Sequence, residues 1–303
     1  VIIFISIFLT INNNFYACKE SVYFITKNIC STLYVFLFKS LSKEPRSMDF
    51  DKQKIIDIYR SQVVGKKFDS TSFNPRHCGA EGHWLENKMG ITPNASNTPD
   101  LFGYEMKKDT KNKTTFGDWD ADIALWKKNK PYEAISRLDR DSEFLKYFGK
   151  PNVKKNGRLS WSGEPSPKIK QYNLFGQILS VDANENILAY YSFSKDSRAN
   201  KSVLIPINLQ QENLILAKWT NLLIKKRLER KFNGKGWFKC FKDSDGIYCS
   251  IGFGEAINYS SWINLVKSGV VYLDLGMYAT NKRPYMTWRA NNTYWDSMVV
   301  ERY

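Results

Sequence analysis

Three charged side chains lie close together in the segment NTPDLFGYEMKKDT, residues 97–110: Asp100, Glu105 and Lys107. Successive side chains of a strand point to opposite faces, so we expect Glu105 and Lys107 on one face and Met106 on the other. Asp100 would lie at the start of the strand or on a bend. This set suits phosphodiester hydrolysis, because two carboxylates and the backbone carbonyl of Met106 can hold Mg²⁺, which prefers oxygen ligands.

The chemistry assigns a role to each group. A bound Mg²⁺ would lower the pKa of a water, stabilise the pentacovalent phosphate charge and orient the scissile group. Lys107 would hold that water or help to deprotonate it, and would neutralise developing charge. Glu86, on a predicted helix upstream, would contact the metal ligands or bind a second metal. The alternative for Glu86 is an ordinary exposed helix carboxylate.

A family resemblance includes all four residues. The segment HWLENKMGI…TPDLFGYEMKKDT, within residues 83–110, resembles the PD-(D/E)XK nuclease signature, and in detail the MvaI/BcnI type of restriction endonuclease, whose fold is akin to the mismatch-repair nicking enzyme MutH. The resemblance implies a type II restriction endonuclease, a Mg²⁺-dependent enzyme that cuts double-stranded DNA at a short specific sequence and acts as a monomer. A cognate DNA methyltransferase would be its genetic partner. The matching positions are Glu86, Asp100, Glu105 and Lys107.

Two other functions remain open on the sequence. A MutH-like strand-nicking repair endonuclease would share the metal site but depend on partner repair proteins. A non-catalytic DNA-binding protein would carry Asp100, Glu105 and Lys107 as a surface ion cluster. A serine or cysteine hydrolase has little support, because no Ser-His-Asp arrangement can be inferred. We interpret His83 as a packing or orienting residue and His77 as a loop residue.

The net charge indicates a polyanionic partner. The chain of 303 residues has 45 Lys and Arg against 30 Asp and Glu, a formal charge of +15. A field of this sign favours nucleic acid or an anionic membrane surface; a basic protein with no such partner is the alternative. The five cysteines form no CxxC pair, so we expect no structural zinc site or disulfide framework, and a reducing, cytoplasmic setting.

Residues 1–47 differ from the rest of the chain. The apolar run VIIFISIFLTI lacks the leading positive charges of a signal peptide and is shorter than the roughly 20 residues that span a membrane. Met48 precedes DFDKQKIIDIYRSQ, an amphipathic helical pattern with an acidic first turn. We expect the native protein to begin at Met48, residues 1–47 to be non-native or disordered upstream sequence, and no membrane partner. A membrane anchor is the alternative.

The pattern of elements predicts a mixed α/β (α+β) fold. The resemblance implies a PD-(D/E)XK core, with a mixed sheet flanked by helices, plus a DNA-recognition lobe that forms a cleft. Residues 48–150 would contain the catalytic core, and 151–303 the remainder of the core and the recognition lobe. We expect helices at 49–62, in AEGHWLENKMG, over about 212–231 and near SSWINLVKSG. We expect strands at Leu101–Lys108, in KNKTTFGDWDADIALW, NILAYYSFS, SVLIPI and VVYLDL, and a hairpin in WFKCFKDSDGIYCSIGF.

The C-terminal segment 276–295 is dense in groups that can read DNA. Arginine can bind guanine O6 and N7 in bidentate fashion, and asparagine can pair with adenine. Arginine can also bind phosphate, which gives affinity without sequence information. The alternative is a polar and aromatic segment that closes the fold. The predicted DNA contacts are Arg283, Arg289, Asn281, Asn291, Asn292 and Tyr285, with Trp288 as a second aromatic.

A second basic segment, residues 149–170, is rich in Gly, Pro and Ser. We expect an exposed loop between two lobes. Its candidates for phosphate or groove contact are Lys154, Lys155, Arg158 and Trp161, with Lys168 and Lys170 extending the set. A solvated charged face is the alternative.

Overall fold

The structure, a computed structural model, describes residues 49–69, 71, 79–92, 96–127 and 136–303. The chain divides into two compact units, Val1–Gln53 and Lys54–Tyr303. Of the first unit, only residues 49–53 are described. The predictions for residues 1–47, Met48 and His77 therefore lie outside the described residues.

The first two helices form where the sequence predicts them. Helix α1 spans Phe50–Gln62, and helix α2 spans Ala80–Lys88. Gly90 follows α2 with φ +74°, a left-handed conformation that ends helices and that glycine adopts at little cost. Both helix predictions are confirmed.

The later elements alternate between strands and helices. The other helices are α3 (Arg137–Phe148), α4 (Lys201–Leu204), α5 (Asn221–Phe232), α6 (Tyr259–Ser268) and α7 (Asn292–Ser297). The strands are β1 (Glu105–Lys108), β2 (Lys113–Asp118), β3 (Ile123–Ala124), β4 (Lys150–Asn152), β5 (Arg158–Trp161), β6 (Phe175–Val181), β7 (Ile187–Asp196), β8 (Leu214–Trp219), β9 (Trp237–Lys242), β10 (Tyr248–Gly254), β11 (Tyr272–Leu275), β12 (Met277–Tyr278), β13 (Met286–Asn291) and β14 (Val299–Arg302).

The sheet that carries β1 is mixed. Strand β1 runs parallel to β9, which pairs antiparallel with β10, and β14 completes the order β1-β9-β10-β14. Antiparallel pairs build the other sheets among the described residues, in the orders β11-β13-β2, β12-β5-β4 and β3-β8-β7-β6. The predicted mixed α+β class is confirmed, as is the hairpin of β9 and β10.

Two hydrophobic clusters enclose the mixed sheet. The smaller contains Met106 of β1 and Leu85 of α2, and the larger contains Phe232 of α5 and Trp295 of α7. The ammonium of Lys107 lies 4.9 Å from the ring centroid of Phe232 and 5.7 Å from that of Trp295. Strand β1 therefore lies between the clusters, with helices on both sides. The alternation predicted for Met106 and Lys107 is confirmed.

Two predictions in the second half were wrong. Residues 214–219 of the predicted long helix form strand β8, whose Leu216, Ala217 and Trp219 are buried in a sheet. Thr220, in an extended conformation, is the N-cap of α5. The SVLIPI segment is no strand, because a short helix, α4, occupies its first part and Val203 is fully accessible to solvent rather than packed on a sheet.

The predictions for two further segments also need correction. Strand β2 forms, but it pairs with β13 instead of returning along β1. Residues 150–161 are not a plain loop, because β4 and β5 pair as an antiparallel hairpin around a 3₁₀ turn at Val153–Lys155.

Membrane-spanning helices are absent from the described ranges, where every helix is too short or too polar to cross a bilayer.

Candidate active site

A tight turn precedes strand β1. The Leu101 N–H donates to the Tyr104 carbonyl at 3.0 Å, and the Tyr104 N–H donates to the Leu101 carbonyl at 2.8 Å. Between them, Phe102 and Gly103 have φ of +49° and +87°. Two successive left-handed residues reverse the chain, and a glycine is the residue that tolerates this best. The predicted strand is thus shorter than expected and begins at Glu105.

The turn brings Asp100 back beside the strand. The Met106 N–H donates a hydrogen bond to Asp100 Oδ2 at 2.9 Å. Burial raises the pKa of Asp100 to about 6, and the negative charge of Glu105 acts in the same direction. The Met106 N–H and the positive charges of Lys107 and Lys231 oppose this rise. Two carboxylates thus share one partly buried site.

Glu105 is the centre of the cluster. Its Oε1 atom lies 2.8 Å from Lys107 Nζ and 3.0 Å from Lys231 Nζ. The side chains of Glu105 and Lys107 are both buried. Glu105 Oε2 is buried and has no hydrogen-bond partner among the described residues. A buried carboxylate oxygen with no partner is costly, so its position indicates room for a cationic ligand.

Lys107 occupies an enclosed pocket. Burial lowers its pKa, and the neighbouring ammonium of Lys231 acts in the same direction, whereas Glu105 and Asp100 oppose the change. The aromatic rings of Phe232 and Trp295 face its ammonium. A lysine with a lowered pKa can exchange a proton nearer neutral pH than an exposed lysine can.

The carboxylate pair fits a divalent cation. Asp100 and Glu105 supply hard oxygen ligands, and within the described part of the chain one of these oxygens, Glu105 Oε2, has no hydrogen-bond partner. In the described ranges, no group of three or more His, Cys, Asp or Glu side chains is placed to hold a metal together. Protein ligands at this position would therefore be the two carboxylates and a backbone oxygen, for which the sequence predicts Met106.

Glu86 does not join this cluster. Helix α2 packs through Leu85 and Met89 into the smaller core, on the side of the sheet that Met106 faces. The half-buried Glu86 carboxylate makes no hydrogen bond or ion pair with Asp100, Glu105 or Lys107 in the described structure. His83, on the same helix, is exposed rather than packed.

A cleft opens beside the cluster. Lys231 and Arg227 line a cavity of about 450 Å³ together with Asp118 and Asp120. Arg227 Nη1 donates to the Asp120 carbonyl at 2.7 Å, which fixes helix α5 along this wall. The cationic end of α5 is explained from sequence by the helix dipole. The only sequence signal for a second role is the spacing of Arg227 and Lys231, which places them on one helix face.

In the C-terminal segment, a turn presents Arg283 to solvent. The Arg283 N–H donates to Asn281 Oδ1 at 2.9 Å, and Asn281 Nδ2 donates to the Gly276 carbonyl at 2.9 Å. The Tyr285 ring lies so close to Gly276 that a Cβ there would be 2.0 Å from it. Asn281 and the Tyr285 ring therefore shape the turn, and the side chains of Arg283 and Tyr285 are both exposed.

Strand β13 and its end hold the next three predicted contacts. Arg289 Nε lies 2.6 Å from Asp274 Oδ2, and the exposed Asn291 accepts a bond from Tyr272 Oη at 3.4 Å. Asn292 is internally bonded, because its Oδ1 accepts from two threonine hydroxyls at 3.0 and 2.9 Å and its Nδ2 donates to the Thr110 carbonyl.

Two tryptophans that the sequence analysis predicts to contact DNA are buried and cannot reach it. Trp288 is fully buried, with its ring centroid 5.4 Å from that of Trp219. Trp161 is also fully buried, and its Nε1 donates to Gln177 Oε1 at 2.7 Å. The sequence interpretation was wrong for both, because a large aromatic side chain in a polar segment is still driven into the core.

The basic hairpin retains exposed cations. Lys154 and Lys155 are exposed in the turn between β4 and β5. The Arg158 guanidinium stacks 3.6 Å above the Tyr278 ring. Lys168 and Lys170 line a separate cavity of about 500 Å³.

Known proteins share both the sequence and the fold. The family model described as LlaMI restriction endonuclease matches residues 63–303. The type II restriction enzyme ScrFI of Lactococcus lactis subsp. cremoris is 46% identical over 269 residues, which cover 84% of this chain and 99% of that protein. A solved complex of restriction endonuclease MvaI with its cognate DNA matches with a TM-score of 0.50 and 13% identity, and the match covers 83% of this chain and 95% of that chain.

The MvaI likeness shows a shared fold, as the resemblance of residues 83–110 implied. The family match covers most of the chain, including strand β1 and helix α5, and the ScrFI identity extends over nearly all of that enzyme. The chain belongs to the LlaMI restriction endonuclease family.

Proposed function

We propose that this type II restriction endonuclease hydrolyses phosphodiester bonds of double-stranded DNA at a short specific sequence, with Mg²⁺ held by Asp100 and Glu105 and with Lys107 beside it. The observation that carries the proposal is the state of Glu105. One of its buried oxygens lies within 3.0 Å of two ammonium groups. The other has no hydrogen-bond partner among the described residues, and a second carboxylate of raised pKa lies beside it.

The protein side chains have separate roles in this proposal. A bound Mg²⁺ would supply Lewis acidity toward the phosphate and a more acidic water. Asp100 and Glu105 bind and orient, because both reach one site from the turn and the strand. Lys107 Nζ lies next to Glu105 Oε1, and its lowered pKa makes the neutral amine more accessible, which suits it to accept a proton from the water. In its protonated form it would neutralise developing charge.

The proposed DNA contacts differ in how exposed their side chains are and in what holds them. Arg283, Lys154 and Lys155 are exposed cations that can reach phosphate or base edges. Arg289 and Arg158 are held by an ion pair and a stacked ring, which would orient their guanidinium groups. Asn281 and Asn292 support the surface through internal hydrogen bonds, and the exposed Tyr285 ring would pack against the DNA. We assign Glu86 no role in metal binding.

The enzyme is proposed to act as a monomer in the cytoplasm, with a cognate DNA methyltransferase as its genetic partner. A strand-nicking repair enzyme is the second candidate considered, but the family description and the ScrFI name both specify restriction, which favours cleavage of both strands. A non-catalytic DNA-binding protein would have no use for a carboxylate pair whose buried member, Glu105, lies beside two lysines.

The test is digestion of unmethylated phage DNA by the full chain in MgCl₂, followed by sequencing of the ends. Discrete fragments with common termini on both strands would support the proposal and reveal the site. Nicks in one strand would support the repair alternative. Intact DNA over a range of salt and Mg²⁺, with protein that is folded and binds DNA, would overturn it.

A further inference from the structure

Helix α5 carries an ammonium group into the carboxylate cluster. Lys231 Nζ lies 3.0 Å from Glu105 Oε1, the oxygen that also accepts Lys107 Nζ at 2.8 Å. The Lys231 side chain is 19% exposed, whereas that of Lys107 is 5% exposed. Lys231 also lines the cleft beside the site. It therefore lies between Glu105 and the cleft.

The two lysines differ in their freedom to move. Lys107 is enclosed by the Phe232 and Trp295 rings. Lys231 sits near the end of α5 and shares the cleft with the carboxylates of Asp118 and Asp120. A long, flexible ammonium side chain with other carboxylates within the same cleft can leave Glu105 without losing all its charge partners.

Charge repulsion makes it unfavourable for the Lys231 ammonium and a divalent cation to lie beside Glu105 at the same time. The two carboxylates Asp100 and Glu105 already have two ammonium groups beside them. A divalent cation at the same oxygens would face Lys231 at close range, and like charges repel strongly where water is partly excluded. One of the cations must move, and Lys231 has the open side.

We propose that Lys231 is a positioning residue that takes the place of the divalent cation beside Glu105 in the metal-free enzyme and is displaced into the cleft when the cation binds. The inference rests on the proposed metal-dependent function. It explains why two ammonium groups cover Glu105 although a phosphate must reach it. It also assigns to Lys231 the control of metal affinity, with the displaced ammonium left on the wall of the cleft that faces incoming DNA.

Mn²⁺ binding without DNA tests the proposal. The full-length chain and the variants Lys231→Met, Lys231→Arg and Lys225→Met are titrated at pH 8, with free Mn²⁺ followed by electron paramagnetic resonance. Lys225 is the matched control, because it is an exposed lysine of the same helix and its loss changes the net charge equally. We expect Lys231→Met to bind Mn²⁺ at least about fivefold more tightly, because the repulsion of one unit charge at about 4 Å reaches this size even at the dielectric constant of bulk water. Lys231→Arg and Lys225→Met should stay near the wild-type affinity.

A second readout separates this role from a structural one. Thermal unfolding is measured beside Mn²⁺ affinity, and a merely structural role would lower the unfolding temperature of Lys231→Met without the tighter Mn²⁺ binding that the proposed role requires. This inference alone would be overturned if Lys231→Met bound Mn²⁺ no more tightly than Lys225→Met while the wild-type protein bound Mn²⁺ and cleaved DNA. A wild type that neither binds Mn²⁺ nor cleaves DNA would overturn the proposed function as well.

Discussion

Lys107 Nζ lies 2.8 Å from Glu105 Oε1, two residues along the same face of strand β1. The pair is buried against the aromatic side of the larger core, and the alternate face of the strand carries Met106 into the smaller one. A single short strand thus separates the charged groups of the site from an apolar core. The predictions below depend on this arrangement.

The pH dependence of stability should reveal Asp100. Its pKa of about 6 in the folded protein exceeds the value of about 3.9 in an unfolded chain, so the folded state binds more protons between those values. The free energy of unfolding of the metal-free protein should therefore decrease as pH rises from about 4 to 6, by up to about 3 kcal/mol. Urea titrations of wild type and Asp100→Asn measure this contribution. Parallel pH profiles for the two proteins would contradict it.

The turn at Gly103 should matter for activity beyond its cost in stability. An alanine at φ +87° is strained by about 1 kcal/mol, and its Cβ would meet only the flexible Lys235 side chain at 3.4 Å. Gly103→Ala should lose that stability and also slow cleavage, because the turn positions Asp100. Gly65→Ala, at φ +75° with nothing within 4 Å of its Cβ, is the matched control. Equal cleavage rates for the two variants would remove the positioning role of the turn.

Substitutions of Trp161 and Lys154 should have different effects, the first on the stability of the protein and the second on its affinity for DNA. Trp161→Ala removes a fully buried ring and should destabilise the protein by about 3–5 kcal/mol in denaturant unfolding. Lys154→Ala removes an exposed cation seven residues earlier. That variant should unfold like the wild type but bind DNA less tightly, with a smaller dependence of affinity on salt. An unchanged salt dependence would place Lys154 away from the DNA.

Arg283 and Asn292 should differ in the same way within the C-terminal segment. Arg283→Ala is expected to weaken DNA binding by about 1–3 kcal/mol with little change in stability, because the side chain is exposed. Asn292→Ala should instead destabilise the fold, since it removes the donor to the Thr110 carbonyl and one acceptor of the Thr110 and Thr114 hydroxyls. Fluorescence anisotropy with the cleaved sequence, beside thermal unfolding, measures both. A stable Asn292→Ala protein with lost DNA affinity would reverse the assignment.

Local patterns predicted the faces of strand β1 well. Alternation alone places Glu105 and Lys107 together, and the DSDG turn signature predicts the β9–β10 hairpin. The turn at residues 101–104 could not be predicted, because it requires φ +49° at Phe102, which that residue type disfavours. Besides the bonds within the turn, the N–H of the distant Lys235 donates to the Gly103 carbonyl at 3.3 Å.

Contacts between segments that are distant in the chain could not be predicted from the sequence. Lys231 reaches Glu105 only because Phe232 and Trp295 pack helix α5 over the strand. The apolar spacing of 212–231 fits a helix as well as a strand followed by a helix, and the pairing of β8 with β3 and β7 decides between them. Trp161 and Trp288 were assigned to DNA from their basic surroundings, but hydrophobic burial outweighs such a neighbourhood.

The most direct test of the account is single-turnover cleavage of a DNA fragment that carries the identified site, at saturating Mg²⁺, by wild type, Asp100→Asn, Glu105→Gln and Lys107→Met. DNA binding is measured in parallel with Ca²⁺ in place of Mg²⁺. We predict that each variant binds DNA but cleaves at least about 10²-fold more slowly than the wild type. A folded variant of any of the three positions that cleaves at the wild-type rate would contradict the assignment of the active site.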